Sequence, residues 1–302
     1  MPSTGWSVSA LSLGCWALGG QWGPIDRATI EVTLGRAVDA GVNLFDTADG
    51  YGVGASEEAL GRFFAGKRHQ FFISTKAGYW AMRQGHRLAY THPLHVKLCC
   101  DASLHRLRTD YIDLYHCHIE QATPAETEVF LAAFADLLAV GKIRAFAVST
   151  NQPDVARGFH RDGRCAAIQF DYSLLHRTAE RELLPWCAAN NLGTIIRGPI
   201  AQGMLTGKFT PETIFGDQVR ESWNSGAGRE RFLLRLREVE NWRRLAAGRP
   251  LVAYALRALL EQPGVTTLIP GAKSPAQLDA QLAALDLPWT DADTAALQAA
   301  SS

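Results

Sequence analysis

The chain has 302 residues, of which 47% are hydrophobic, and its 30 basic and 30 acidic side chains give a formal net charge of zero. This length and composition are enough to bury a large core. The balanced charge argues against a nucleic-acid or anionic membrane partner, and no apolar run is long enough to span a bilayer. Six cysteines without CxxC spacing are typical of free thiols in a reducing compartment. We therefore expect a cytoplasmic protein.

Short apolar runs alternate with amphipathic stretches along the whole chain. The runs are apolar throughout, as expected of parallel strands that are buried on both faces. We predict eight strands, at residues 10–14, 42–45, 71–75, 112–117, 143–148, 166–170, 193–196 and 265–269. We predict helices at residues 27–40, 57–65, 94–107, 126–140, 153–159, 179–189, 251–260 and 275–285.

Eight strand-helix units favour a closed α/β barrel, the (β/α)8 or TIM barrel, over an open sheet. An open dinucleotide-binding sheet is expected to carry GxGxxG after its first strand, and the sequence has none there. We treat residues 1–302 as one domain with two additions. The first is an excursion at residues 206–249, between the seventh strand and the seventh barrel helix, with its own helix near 231–246. The second is a C-terminal helix at 289–300.

Eight residues, most of them polar or aromatic, lie where the predicted strands end. They are Trp16, Asp46, Lys76, His118, Ser149, Gln169, Arg197 and Pro270. Barrels of this kind build their active sites at the carboxyl ends of the strands. A glycine-rich turn after Asp46 carries Tyr51, and Ser56 is predicted to cap the helix that follows.

These residues allow a structural and a functional interpretation. Asp46 and Lys76 form either a structural ion pair or a pair that serves Tyr51. In the second case the ammonium lowers the pKa of the phenol, so that Tyr51 can give or take a proton. His118 is either a buried core histidine or a group that holds the substrate oxygen against Tyr51.

The same strand ends allow two further interpretations, a metal site and an apolar pocket. Only His116 and His118 share a face of their strand, and no third ligand is placed by spacing, so we predict no metal. The aromatic residues of the neighbouring loops are predicted to wall a pocket for an aromatic or aliphatic carbonyl compound. They are Trp16, Trp22, Tyr79, Trp80 and Trp223, and Tyr51 and His118 complete the predicted substrate pocket.

The chain resembles the aldo-keto reductases over nearly its whole length. The resemblance rests on five stretches taken in order, at residues 41–58, 73–76, 110–118, 141–144 and 269–271. It implies that the family's catalytic tetrad corresponds to Asp46, Tyr51, Lys76 and His118. It also implies a nicotinamide cofactor that is bound without a Rossmann motif.

The resemblance further implies hydride transfer to a carbonyl carbon, with Tyr51 delivering the proton to oxygen or, in reverse, taking it from an alcohol. Lys273 corresponds to a position that meets a 2′-phosphate, which favours NADPH over NADH unless Lys273 is a solvated surface lysine. The implied cofactor-binding residues are Asp46, Ser149, Gln169, Arg197, Gly198, Pro199, Leu205, Gly207, Gly271, Lys273, Gln277 and Gln281.

The sequence departs from the family pattern at several positions. Thr150 replaces the usual Asn after the fifth strand, which leaves Asn151 as the alternative carboxamide contact. Arg197 stands where an aromatic residue often stacks under the nicotinamide. Gln281 follows Ala280 where a Glu-Asn pair is usual, and the short start of the chain predicts an incomplete N-terminal hairpin.

Three functions remain open on the sequence alone. The first is an NADPH-dependent reductase that converts the carbonyl group of an aldehyde, ketone or open-chain sugar to the alcohol. The second is an NAD(P)-dependent alcohol or sugar dehydrogenase running mainly toward oxidation. The third is a nucleotide-binding regulatory subunit similar to the potassium-channel beta subunits. We expect a monomer or a weak homo-oligomer in each case.

Overall fold

Eight parallel strands form a sheet that closes on itself. The structure is a computed structural model and describes residues 1–78, 82–83, 86–87 and 89–300. Each strand pairs with the next along the chain, and bridges from Leu11 to Leu268 and from Gly14 to Gly271 join the first strand to the last. The predicted (β/α)8 barrel is confirmed. The strands are β1 (Leu13–Gly14), β2 (Leu44–Asp46), β3 (Phe72–Ala77), β4 (Ile112–Cys117), β5 (Ile143–Ser149), β6 (Ala167–Asp171), β7 (Gly193–Arg197) and β8 (Thr267–Leu268).

Helices surround the sheet, and side chains cap several of them. Asp26 accepts a hydrogen bond from the Thr29 amide at the start of the first helix, and Thr123 forms a capping box with Glu126 at the fourth. None of the described helices has the length and apolar character needed to cross a membrane. The helices are α1 (Arg27–Asp39), α2 (Ala55–Phe63), α3 (Pro93–Leu107), α4 (Pro124–Ala139), α5 (Pro153–His160), α6 (Leu183–Ala189), α7 (Gly226–Ala246), α8 (Leu251–Leu260), α9 (Pro275–Leu282) and α10 (Asp291–Ala299).

Several predicted details differ from the structure. The helix predicted at residues 179–189 is α-helical only over α6 (Leu183–Ala189). The excursion helix α7 begins at Gly226 rather than at residue 231. The prediction that Ser56 caps α2 is wrong, because the helix begins one residue before it, at Ala55, after Gly54 in a left-handed conformation with φ of 93°. The Ser56 hydroxyl instead donates to the carbonyl oxygen of Cys15, at 2.8 Å, and so ties α2 to the loop after β1.

The amino-terminal end of the barrel is closed by apolar side chains. Met1 packs with Leu44, Leu114 and other inward-facing strand residues. Trp6 stacks on Phe72, with 5.1 Å between the ring centroids. Within the described residues no hairpin strand precedes β1, and a single 3-10 turn, Pro2–Thr4, lies there instead. Apolar side chains therefore fill much of the interior at this end of the barrel.

The larger core lies between the sheet and the helices. Phe134 of α4 stacks on Phe146 of β5, with ring centroids 5.1 Å apart, and Phe130 and Phe159 pack beside them, all fully buried. Burial of each such side chain contributes about 1.5–3 kcal/mol. This core fixes the strands and so the positions of the residues at their carboxyl ends.

Helix α2 approaches the end of α3 so closely that only glycine fits at position 61. A Cβ on Gly61 would lie 2.3 Å from the carbonyl oxygen of Arg106 and 2.9 Å from Cα of Leu107. Gly35, in the middle of α1, has no atom within 4 Å of such a Cβ. The two glycines therefore differ in packing although both are helical.

We expect Gly61→Ala to lower the free energy of unfolding by about 1–3 kcal/mol, because the added methyl group overpacks a backbone contact. The matched variant Gly35→Ala should raise it by about 0.5–1 kcal/mol, because alanine favours the helix and meets no atom. Urea unfolding of both variants measures this. Equal stability of the two variants would contradict the close approach of α2 and α3.

Candidate active site

The carboxylate of Asp46 is the centre of a buried polar network. Asp46 is the last residue of β2 and is 1% exposed. One oxygen, Oδ1, accepts a hydrogen bond from Lys76 Nζ at 2.5 Å. The other, Oδ2, accepts one from Ser74 Oγ at 2.7 Å and one from Gln169 Nε2 at 2.9 Å. Three donors from two other strands therefore compensate this buried charge.

Lys76, on β3, is fully buried and also donates to the carbonyl oxygen of Thr47, at 2.6 Å. Burial lowers the pKa of its ammonium, while the Asp46 carboxylate opposes that shift. Its Nζ lies 5.3 Å from the centroid of the Tyr51 ring. The ion pair thus lies directly beside the phenol, as the functional interpretation requires.

Tyr51 is held in the turn between β2 and α2. Its backbone amide donates to the carbonyl of Ala48, at 3.2 Å. Its ring stacks on Trp16, with 5.8 Å between centroids, and meets the edge of His118 at 6.1 Å. These contacts bring the predicted phenol and imidazole together at one end of a cavity.

The predicted lowering of the Tyr51 pKa is wrong. Burial raises the pKa of the phenol well above its usual value, and the nearby Asp46 carboxylate raises it further. The reason is that the phenol is itself removed from water and that the Lys76 charge beside it is paired with Asp46. Tyr51 therefore holds its proton at neutral pH and is suited to act as an acid.

His118 follows β4, and its amide donates to the carbonyl of Ala77, at 2.7 Å. Burial, with the positive charges of Lys76 and Arg197, holds the pKa of its imidazole well below the usual value. A neutral imidazole keeps one N–H donor without adding a positive charge. It is therefore suited to orient a substrate oxygen.

His116 belongs to the polar network. Its Nε2 lies 2.8 Å from Ser74 Oγ, and Ser74 also contacts Asp46. Among the described residues no group of three or more His, Cys, Asp or Glu side chains is arranged to hold a metal ion. The role of His116 is therefore to satisfy the buried Ser74 hydroxyl.

A cavity of about 780 Å³ opens at the carboxyl ends of the strands. Most of the predicted site residues line it, with the phenol and imidazole at one end. These residues are Trp16, Trp22, Asp46, Tyr51, His118, Arg197, Gly198, Pro199, Gly271, Lys273, Gln277 and Gln281. The cavity therefore brings most of the predicted site residues together.

Some predicted site residues do not line this cavity. Ser149 donates to Gln169 Oε1 at 3.3 Å, and both are buried beneath it. Leu205 is fully buried in the core, and Gly207 forms a left-handed turn, with φ of 72°. Lys76 does not line the cavity either, and its ammonium lies beside the Tyr51 ring.

The predicted aromatic wall is formed in part. Trp16 and Trp22 line the cavity and meet edge to face, with 5.0 Å between their ring centroids. Trp223 packs elsewhere, because it stacks on Phe232 within the excursion, at 5.8 Å. The predicted pocket residues Tyr79 and Trp80 lie outside the described residues.

Three cations of the cavity wall lie close enough for their charges to interact. Lys208, Arg220 and Lys273 all line it. Burial and the charges of Arg220 and Lys273 lower the pKa of Lys208. Lys273 Nζ donates to the carbonyl oxygen of Trp22 at 2.6 Å, and the Arg220 guanidinium lies 5.2 Å from the centroid of the Trp22 ring. The three are suited to bind an anionic group.

Sequence reasoning missed Arg220 as a site residue. It lies in the excursion, where no motif marked it, and Asp217 orients it through hydrogen bonds at 2.6 and 2.9 Å. The spacing Asp-x-x-Arg was the only available signal, and such a pair is common on protein surfaces. The path of the excursion, not its sequence, brings this guanidinium to the cavity.

Asn151, the alternative contact for Thr150, is engaged elsewhere. Its Nδ2 donates to Asp171 Oδ2 at 3.2 Å, and its Oδ1 accepts from the Asp171 amide at 2.8 Å. Thr150 Oγ1 donates to the carbonyl oxygen of Glu120, at 2.7 Å. Both residues therefore hold the loops around the cavity rather than line it.

The sequence and the fold are similar to those of known proteins. The model of the Aldo/keto reductase family matches residues 10–302. The chain is 33% identical over 305 residues to the NADH-specific methylglyoxal reductase of Escherichia coli, and the match covers 95% of this chain and 93% of that protein.

Solved structures similar to this one include the following two. The glycerol dehydrogenase AKR11B4 from Gluconobacter oxydans superposes with a TM-score of 0.83 at 30% identity, over 99% of this chain and 93% of that one. The aldo/keto reductase from Klebsiella pneumoniae in complex with NADP and acetate gives a TM-score of 0.73 at 26% identity, over 97% and 91%.

Asp49 is a second buried carboxyl group close to the site. It is 2% exposed, and among the described residues no side chain donates a hydrogen bond to either of its carboxyl oxygens. Burial, together with the Glu57 carboxylate, raises its pKa from 3.8 to about 7, although Arg106, the backbone amide of Gly50 and Lys76 oppose the shift. Its charged form is therefore unfavourable in the folded protein.

We expect Asp49→Asn to stabilise the protein at pH 8 by up to about 4 kcal/mol, at about 1.4 kcal/mol per pKa unit. The folded state binds a proton between pH 3.8 and about 7 that the unfolded state releases, so wild-type stability falls as pH rises through this window. The amide cannot ionise, and its advantage should shrink toward pH 4. Urea unfolding at pH 4, 6 and 8 measures this, and a difference that does not change with pH would contradict it.

Proposed function

The chain belongs to the aldo/keto reductase family, and we propose that it reduces the carbonyl group of an aldehyde, ketone or open-chain sugar to the alcohol with NADPH. Members of this family are oxidoreductases. The observation that carries the proposal is the position of Tyr51. A phenol that holds its proton lines the cavity beside the buried Asp46–Lys76 pair and the neutral His118.

The residues around the cavity fit a nicotinamide dinucleotide phosphate. Lys208, Arg220 and Lys273 supply positive charge for phosphate groups. Gln281 Nε2 donates to the carbonyl of Gly271 at 2.9 Å, while its Oε1 is buried without a partner among the described residues. That free acceptor suits an amino group such as that of adenine. When bound, the cofactor supplies the hydride that reduces the carbonyl carbon.

In this mechanism Tyr51 donates its proton to the carbonyl oxygen as negative charge develops there. His118 donates a hydrogen bond to the same oxygen and holds it near the phenol. The Lys76 ammonium stabilises the phenolate that Tyr51 leaves behind, since its charge lies close to the ring. Asp46 fixes the ammonium in place.

The raised pKa of Tyr51 populates the protonated form from which reduction starts. The oxidative reaction needs the phenolate as a base, and burial disfavours that form. Alcohol oxidation, the direction named for the related glycerol dehydrogenase, is the second candidate. It should become faster with rising pH if this chain catalyses it, because the phenolate becomes more populated.

The choice of NADPH rests on the three cations. One relative is named as NADH-specific and another is in complex with NADP, so the family alone does not decide. A third phosphate would add negative charge where Lys273, Lys208 and Arg220 converge. This charge complementarity supports NADPH.

We expect Tyr51→Phe to lower the rate of NADPH oxidation with a simple aromatic aldehyde by at least about 100-fold, because the proton donor is lost. Its Kd for NADPH should stay within about threefold of the wild type. Tyr115→Phe is the matched control, because Tyr115 is fully buried outside the cavity lining and its hydroxyl has no partner among the described residues.

Absorbance at the nicotinamide band measures these rates. A Tyr51→Phe variant that keeps most of the wild-type rate would contradict the assignment of Tyr51 as the acid. Tight NADPH binding without turnover of any carbonyl compound in a broad panel would favour the regulatory-subunit hypothesis instead.

We expect Lys273→Met to raise the Kd for NADPH by about tenfold and to leave the Kd for NADH unchanged, because a charge-assisted contact to the 2′-phosphate is lost. Lys97→Met is the control, since Lys97 lies on α3 and pairs with Asp136 outside the cavity. Fluorescence titration with both nucleotides measures the two constants. An equal loss of affinity for both would contradict a role in nucleotide choice.

A further inference from the structure

The guanidinium of Arg197 is fixed by two carboxylates. Arg197 is the last residue of β7, and its Nη1 donates to Asp171 Oδ2 at 2.7 Å while its Nη2 donates to Glu120 Oε2 at 2.9 Å. Asp171 is held in turn by Asn151. The backbone amide of Asn151 also donates to Glu120 Oε1, at 2.6 Å. Residues following three strands therefore determine where this positive charge lies.

This charge reaches the end of the cavity where Tyr51 and His118 lie. Arg197 lines the cavity with both of them. Its charge opposes the rise of the Tyr51 pKa and contributes to the low pKa of His118. The reacting end of the cavity therefore senses the guanidinium as a positive charge, even though both of its Nη atoms are paired with carboxylates.

A nicotinamide ring changes its charge when it is oxidised. The reduced dihydronicotinamide is uncharged, whereas the oxidised ring carries a formal positive charge. In a partly buried site, two positive charges a few ångströms apart repel each other appreciably. The carboxylates of Asp171 and Glu120 oppose this repulsion, because they lie 2.7 and 2.9 Å from the guanidinium.

We propose that Arg197, held by Asp171 and Glu120, makes the site bind NADPH more tightly than NADP⁺. This inference rests on the proposed nicotinamide cofactor and adds a direction to it. A site that binds the reduced form and releases the oxidised form favours carbonyl reduction over alcohol oxidation. Arg197 then determines which oxidation state of the cofactor binds more tightly. Asp171 and Glu120 weaken that preference.

The test compares the Kd for NADP⁺ with the Kd for NADPH in the same variant. Both nucleotides carry the same phosphates and adenosine, so any change in the affinity for those groups cancels in the ratio. Fluorescence titration and calorimetry measure both constants without turnover. The variants are Arg197→Met, Arg197→Lys, Asp171→Asn and Glu120→Gln, with Glu128→Gln on the exposed face of α4 as the control.

We expect the ratio of the Kd for NADP⁺ to the Kd for NADPH to exceed one in the wild type. Arg197→Met should lower this ratio by about tenfold, because the repulsion is removed. Arg197→Lys should keep the ratio within about threefold, since the charge remains. Asp171→Asn and Glu120→Gln should raise the ratio, because each removes a compensating negative charge and keeps the side-chain shape. The Glu128→Gln control should leave it unchanged.

Opposite shifts for Arg197→Met and the two carboxylate variants are therefore the signature of the proposal. A ratio that Arg197→Met leaves within about twofold, or a shift in the same direction for all variants, would overturn it. If the wild type binds neither NADPH nor NADP⁺, the proposed function itself fails. Thermal unfolding of each variant identifies those that have lost the fold. If Asp171→Asn has lost it, Glu120→Gln alone tests the effect of removing a carboxylate.

Discussion

The carboxylate of Asp46 sets the strictest constraint on this structure. A buried charge of this kind is tolerated only when it is fully hydrogen-bonded, and removal of one partner of a buried pair costs about 3–5 kcal/mol. Asp46 meets the requirement through Lys76, Ser74 and Gln169, which lie on β3 and β6. The register of these strands at their carboxyl ends is therefore tied to the same contacts that place the ammonium beside Tyr51.

The two ends of the barrel differ in the polarity of the side chains inside them. At the amino-terminal end, apolar side chains such as Met1 and Leu114 fill the interior and exclude water. At the carboxyl end, polar side chains enclose a cavity. This division lets a low-dielectric interior lie directly under the polar network, and burial is what holds the phenol of Tyr51 and the imidazole of His118 in their neutral forms.

The cavity itself is divided by charge. One part is surrounded by Lys208, Arg220 and Lys273, which suit phosphate groups. The other contains Tyr51, with Arg197 as a positive charge that carboxylates moderate. We propose that the three cations bind an anionic nucleotide in either oxidation state and that Arg197 distinguishes the states. In this proposal, affinity and preferred direction depend on different side chains of one cavity.

The sequence by itself determined the barrel and the side chains at its strand ends, because continuous apolar runs mark buried parallel strands and active sites of such barrels lie where those strands end. Asp46, Lys76 and His118 were located in this way. Tertiary structure alone decided the protonation of Tyr51, the approach of Arg220 and the pairing of Arg197 with Glu120. Burial and contacts between residues distant in the chain determine these features, and the local periodicity of the sequence predicts neither.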